Sequence, residues 1–203
     1  MKRTSCPLFT FIAICLITIQ QGIYAQQLSQ QEKNELQLRV KQKIEDFQMY
    51  LGIIASKSVS PTNKDNATAN ALALFVGKGD KYYYYEYDSN GKQGPKKLHA
   101  PVDVQTYTKG GGIKPPRLFI RVLSRSKKAT IKNASFYIIE DYYEYSPGRY
   151  DGIGYFYQKY CGYQDGRPAY TDVTYKQVRI PISRKPNMRL PFIVLGDIEI
   201  EIE

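Results

Sequence analysis

The residues able to do chemistry are few, and most lack the partner that chemistry needs. His99 is the only histidine, so a multi-histidine metal site is excluded. It sits between Lys97 and Pro101, where a structural or neutral role is the simpler reading. Asp141, Glu144, Asp172 and Asp197 fall in or beside strand-like segments. A carboxylate buried there would have its pKa raised and could serve as a general base. Tyr137, Tyr155, Tyr157 and Tyr175 could donate hydrogen bonds to an oxyanion. The bland alternative is that Asp172 is a strand-face or turn residue and that Asp197 keeps a strand edge from extending. The strongest catalytic candidates are Asp141, Asp172, Tyr155 and Tyr175. No Ser-His-Asp arrangement or nucleotide motif is present, and Gly110-Gly111-Gly112 lacks the lysine and helix of a phosphate loop. No cofactor is implied.

Tyrosine is the distinctive residue, with 19 copies and no tryptophan. The tyrosines cluster in Tyr82–Tyr87, Tyr142–Tyr145 and Tyr155–Tyr163. A tyrosine ring can stack on a sugar face while its hydroxyl hydrogen-bonds at a wet interface. Side chains alternate across a strand, so one row of each cluster should face outward. Tyr83, Tyr85, Tyr143, Tyr157 and Tyr163 are the candidates for such a contact surface. The competing reading is that tyrosine is simply a good strand residue.

The first segment gives an address. Lys2 and Arg3, the apolar run Pro7–Ile19 and the small residue Ala25 read as a cleaved secretory signal over residues 1–25, with export to the periplasm or medium. The apolar run is shorter than the roughly 20 residues a membrane span needs. Cys15 is approached by Ile12-Ala13-Ile14 and the apolar run continues past it to Ile19, so it is a poor lipidation site. Losing Cys6 and Cys15 with the signal leaves Cys161, which rules out an intramolecular disulfide; a domain of this size can stand on its core. Zinc held by cysteines is excluded for the same reason. Without Lys2 and Arg3 the formal charge falls from +10 to +8. A basic exported chain points to anionic neighbours such as phospholipid head groups or acidic polymers, and export argues against nucleic acid.

Residues 26–203 read as one domain, with helices over about 30–76 and a sheet over about 80–203. Ser29 followed by Glu32 forms a capping box. Leu36, Val40, Ile44, Phe47, Leu51 and Ile54 then recur at helical steps, which predicts a helix over 30–55. Ser60-Pro61 opens a second helix, which Gly77 and Gly79 stop. Tyr82–Tyr87 is a strand followed by the turn Ser89-Asn90-Gly91-Lys92. Arg117–Ser124 fits a strand or a short helix equally. Thr130–Tyr145, Tyr150–Gly162, Ala169–Ile182 and Phe192–Ile202 read as four long strands in an antiparallel meander, joined by short links that include Asp165-Gly166. In the third, apolar residues sit at odd positions 173 and 175 and then at even positions 178, 180 and 182. A regular strand cannot change faces, so a β-bulge near Lys176-Gln177 and a strongly curved sheet are expected.

Two leading helices and a long, bent meander resemble the NTF2-like (SnoaL-like, cystatin-like) α+β superfamily over about Ser29 to Ile202. The segments Tyr160–Pro168 and Leu195-Gly196-Asp197-Ile198 look like those of uncharacterised exported proteins of Gram-negative gut bacteria. The resemblance implies helices packed in the cone of a curved sheet. It implies no single activity, because the superfamily holds enzymes as well as binding and assembly modules. The segment Asp80–Pro116 departs from the pattern, and no catalytic pair is recognisable. A non-catalytic module contacting a protein, glycan or envelope component is therefore expected, with self-association through an open sheet face as one form. A small enzyme with a carboxylate base in the cone is the alternative. A cone filled by Leu36, Phe47, Leu72 and Phe75 would favour the module, and a deep pocket enclosing a carboxylate and tyrosines the enzyme.

Overall fold

A computed structural model describes residues 28–88, 92–105, 112–125, 129–137, 142–146, 148–164, 167–184 and 190–200. The expected signal, Met1–Ala25, lies outside them. Helix α1 (Gln30–Ala55) opens on the capping box: Ser29 Oγ accepts from the Glu32 backbone N–H, and Glu32 Oε2 accepts from the Ser29 N–H at 2.9 Å. The six expected stripe residues are all buried along α1. Helix α2 (Pro61–Ala73) starts from the Ser60 cap with Pro61 at its first position, where a missing N–H costs nothing. Beyond α2 the chain turns through Val76–Gly79 with three consecutive positive φ angles at Gly77, Lys78 and Gly79. A side chain at Gly77 would sit 2.8 Å from Tyr82 Cβ, so glycine is required there on both counts.

Strands β1 (Tyr82–Tyr87) and β2 (Gln93–His99) form a separate antiparallel hairpin. Short strands β3 (Val104–Gln105) and β4 (Ile113–Lys114) follow, then helix α3 (Pro116–Arg125), which settles the helix-or-strand ambiguity of that segment. The remaining strands are β5 (Ala129–Tyr137), β6 (Tyr142–Ser146), β7 (Arg149–Gln164), β8 (Arg167–Ser183), β9 (Phe192–Ile193) and β10 (Ile198–Ile200). The main sheet runs β4-β3-β10-β8-β7-β5, with β6 on β7 and β9 on β8. It is open rather than closed among the described residues.

Three expectations about the sheet need correction. It is mixed, because β3 runs parallel to β10. The long first and last strands are each divided: β5 and β6 share one edge of β7, and β9 and β10 share one edge of β8. The bulge at Lys176-Gln177 is absent, since the β7–β8 ladder passes unbroken through Tyr155↔Gln177, Phe156↔Lys176 and Tyr157↔Tyr175. Its register shifts instead at Gly162/Tyr163. The reason is that β8 keeps one face inward from Thr174 to Ile182. Thr174, Lys176, Val178, Ile180 and Ile182 are all buried, while Val173 is 55% exposed. The inward face begins with two polar residues, which disguises its even parity.

Helix α1 lies against the sheet, and α2 packs on α1. Leu36, Phe47, Leu72 and Phe75 are all buried in the core, and Phe47 meets Phe75 edge-on at 5.1 Å. Gly154 on β7 gives α1 room: a Cβ there would lie 3.1 Å from Ile180 Cδ1 and 3.5 Å from Ile44 Cδ1. No helix among the described residues is long and apolar enough to cross a membrane.

Candidate functional site

The tyrosine hairpin presents two rows of rings. Its register sets Tyr82 against His99, Tyr83 against Leu98, Tyr84 against Lys97 and Tyr85 against Lys96. On one face His99 stacks on Tyr82 at 5.0 Å between centroids and meets Tyr84 edge-on at 5.6 Å. His99 Nδ1 lies 2.8 Å from the Ala100 carbonyl oxygen. Beside them Lys97 pairs with Glu86, and its hydrogen bond holds the Glu86 carboxyl below the ordinary glutamate range. On the other face Tyr83 is 62% exposed and Tyr85 40%, with Leu98 exposed beside them. The Lys96 ammonium lies 4.4 Å from the Tyr83 ring centroid, a cation–π contact.

A free two-stranded hairpin is marginal in water. This one is anchored at its root, where Tyr82 packs on the core. Between the hairpin and the sheet lies a cleft of about 420 Å³. Tyr82–Tyr85 and His99 form one side, and Arg149, Asp151, Arg179, Phe192 and Asp197 the other. The polar wall is built from backbone and side chain together. Arg179 donates from Nε and Nη2 to Asp151 Oδ2, the first at 3.1 Å, and its backbone N–H donates to the Asp197 carbonyl at 2.9 Å. Asp197 Oδ1 accepts from the Asp103 N–H at 2.8 Å, so this carboxylate fastens the segment before β3 to the segment before β10. Two arginines face two aspartates, which leaves the cleft formally neutral and lined with planar hydrogen-bonding groups.

A second ring group lies on the sheet face away from α1. Tyr155 and Tyr175 stack at 5.5 Å and 12° between planes, and Tyr157 lies 4.7 Å from Tyr175. Their neighbours in sequence, Phe156, Gln158, Thr174 and Lys176, are the inward residues. Tyr155 and Tyr175 thus stand together, but outside the helix-covered interior that the catalytic reading needed. Asp141 lies outside the described residues. Asp172 pairs across the ladder with Tyr160, Tyr143 with Asp151, and Tyr163 with Pro168. The side chains of Asp172, Tyr143 and Tyr163 lie outside the described ones. The structure therefore brings Tyr83 and Tyr85 together on the hairpin, and Tyr155, Tyr157 and Tyr175 together on the sheet.

The interior holds polar residues that the periodicity did not flag. Gln48 of α1, Gln158, Thr174 and Lys176 are all buried. No Asp or Glu is buried among the described residues. Gln158 Nε2 donates to Gln48 Oε1 at 3.1 Å, while Gln48 Nε2 is buried without a partner. Lys176, 2% exposed, donates from Nζ to the Gln105 carbonyl at 2.9 Å. The signal that could have found Thr174 and Lys176 is the run of even positions from Thr174 to Ile182. No group of three or more metal-ligating side chains occurs among the described residues. The chain matches no family model, no curated protein and no solved structure.

Proposed function

We propose that this chain is an exported, non-catalytic binding module of the cell envelope that takes a glycan on its tyrosine hairpin. The observation that carries the reading is a hairpin with rings on both faces, standing over a neutral cleft walled by arginine and aspartate. Ring faces suit the C–H face of a sugar, and planar Arg–Asp pairs suit its hydroxyls. NTF2-like kinship is part of the same proposal. Helix α1 laid on the antiparallel sheet, with α2 packed on α1, supports it, and α3 with the parallel β3–β10 contact are the departures.

The test is a glycan array and a pull-down from envelope extract with the full chain and a Tyr83→Ala/Tyr85→Ala variant. Binding should weaken about two- to tenfold per ring, given roughly 0.5–1.5 kcal/mol for an aromatic contact. Circular dichroism should be unchanged. Recovery of no ligand by either route would sink the proposal.

Self-association through the outward sheet face is a second reading, favoured by exposed Val173 beside the Tyr155–Tyr175–Tyr157 stack. A monomer by light scattering at high concentration would remove it.

A further inference from the structure

Helix α3 carries a feature that the tyrosine site does not use. Its buried face is Pro116, Phe119, Ile120 and Leu123. Arg117, Arg121 and Arg125 recur every fourth residue on the opposite side and are exposed. At 1.5 Å per residue the three span about 12 Å of surface. The helix contains no Asp or Glu. Arg117 is engaged, donating to both Asp80 carboxylate oxygens at 2.8 and 2.7 Å. No carboxylate among the described residues pairs with Arg121 or Arg125. Lys64 of α2, Arg117 and Arg121 line a shared groove of about 800 Å³ beside this stripe together with Asp65 and Asp80, and Lys114 precedes the helix. Two large apolar side chains close to these cations in sequence are exposed, Val122 at 50% and Ile113 at 60%.

From this arrangement we propose that α3 and the preceding Ile113-Lys114 form a docking face for an anionic phospholipid surface. The cations match phosphate head groups. Ile113 and Val122 select a partner with hydrocarbon beneath its charge, as an amphipathic interfacial helix does, and a fully hydrated polyanion would not reward their exposure. The net formal charge, +10 for the whole sequence and +8 without Lys2 and Arg3, adds long-range attraction of the same sign. The docking does not depend on the tyrosine hairpin, which lies on β1 and β2.

The experiment is co-sedimentation of the full chain with phosphatidylcholine vesicles, with and without phosphatidylglycerol. The quantity read is the ratio of the two partition coefficients, which cancels any apolar contribution common to both vesicles. The parent should favour the phosphatidylglycerol vesicles, and the preference should fall with added salt. Arg121→Gln/Arg125→Gln should lower the ratio roughly 30-fold, from about 1 kcal/mol for each cation near an anionic surface. The paired control Lys96→Gln/Lys97→Gln, on the hairpin, should leave it within about twofold, because those charges belong to another face. A parent with no preference, an α3 variant with the parent's ratio, or an equal loss in the hairpin control would each overturn the proposal.

Discussion

The buried Gln48–Gln158 pair makes a quantitative prediction, because one donor in it is unpartnered. In the native chain Gln48 Nε2 is orphaned and Gln158 Nε2 is satisfied by Gln48 Oε1. Leaving a buried donor or acceptor unmade costs about 1–3 kcal/mol, whereas replacing both partners by apolar groups of similar shape is close to neutral or favourable. Methionine preserves the volume and length of glutamine and adapts to the site. Gln158→Met strips Gln48 of its one described contact and orphans both its polar atoms, so it should destabilise by about 1–3 kcal/mol. Gln48→Met removes one orphan and creates another at Gln158, so it should lie near the native value. Gln48→Met/Gln158→Met removes every orphan and should exceed native stability by about 1–3 kcal/mol. The coupling energy in this double-mutant cycle is then about 2–6 kcal/mol, far outside the additivity expected of independent sites. Urea unfolding measures it, with equal m values required for the comparison. A double variant no more stable than native would refute the reasoning, and would mean that Gln48 Nε2 is satisfied by an internal water.

Three further predictions test other joints of the fold. Ser29→Ala should cost about 0.5–2 kcal/mol by uncapping α1, read in thermal or urea unfolding. Hydrogen bonds from the Ser29 backbone and side chain, then Arg184, lower the Glu32 pKa below its ordinary 4.5. That stabilisation is present above pH 4.5 and is lost as the pH falls below it, so the Ser29→Ala deficit should shrink in acid; a deficit independent of pH would contradict the capping box. Gly154→Val should cost about 1–3 kcal/mol by overpacking against Ile180, Val178 and Ile44, and thermal unfolding at the native midpoint would contradict that close approach. Ile180→Ala should cost about 2–5 kcal/mol while Val173→Thr stays within about 0.5 kcal/mol, and equal effects in urea would mean that the faces of β8 are misassigned.

Some of this architecture is legible because the signals are local. Ser29 and Glu32, Ser60 and Pro61, and the apolar steps from Leu36 to Ile54 each act within a turn of helix, and they place α1 and α2 correctly. Helix α3 was ambiguous because Leu118, Phe119, Ile120, Val122 and Leu123 suit either period. Pro116 at its first position was the missed clue. The parallel contact between β3 and β10 could not be read, since its partners Val104 and Ile198 are 94 residues apart and each strand is very short. The hairpin tyrosines announce themselves by type, but His99 as their stacking partner does not. β2, Gln-Gly-Pro-Lys-Lys-Leu-His, has almost no apolar pattern to report its register.

The failure at β8 is the most instructive because composition pointed the wrong way on both faces. Burying Lys176 is tolerable because its aliphatic stem adds apolar contact while its ammonium reaches the Gln105 carbonyl. Gln158 and Gln48 likewise partly satisfy one another. The inward face therefore holds an amide, a hydroxyl and a lysine, with a second amide facing them from α1, while Val173, Tyr155, Tyr157 and Tyr175 stand on the other side of the same two strands. Transfer energy alone would sort them the other way, since a buried valine contributes about 1.5–3 kcal/mol and a buried polar group costs unless it is bonded. The hairpin repeats the pattern with Tyr83, Tyr85 and Leu98 left exposed. These two outward ring groups are the surfaces on which the proposed glycan contact and the proposed self-association would each draw.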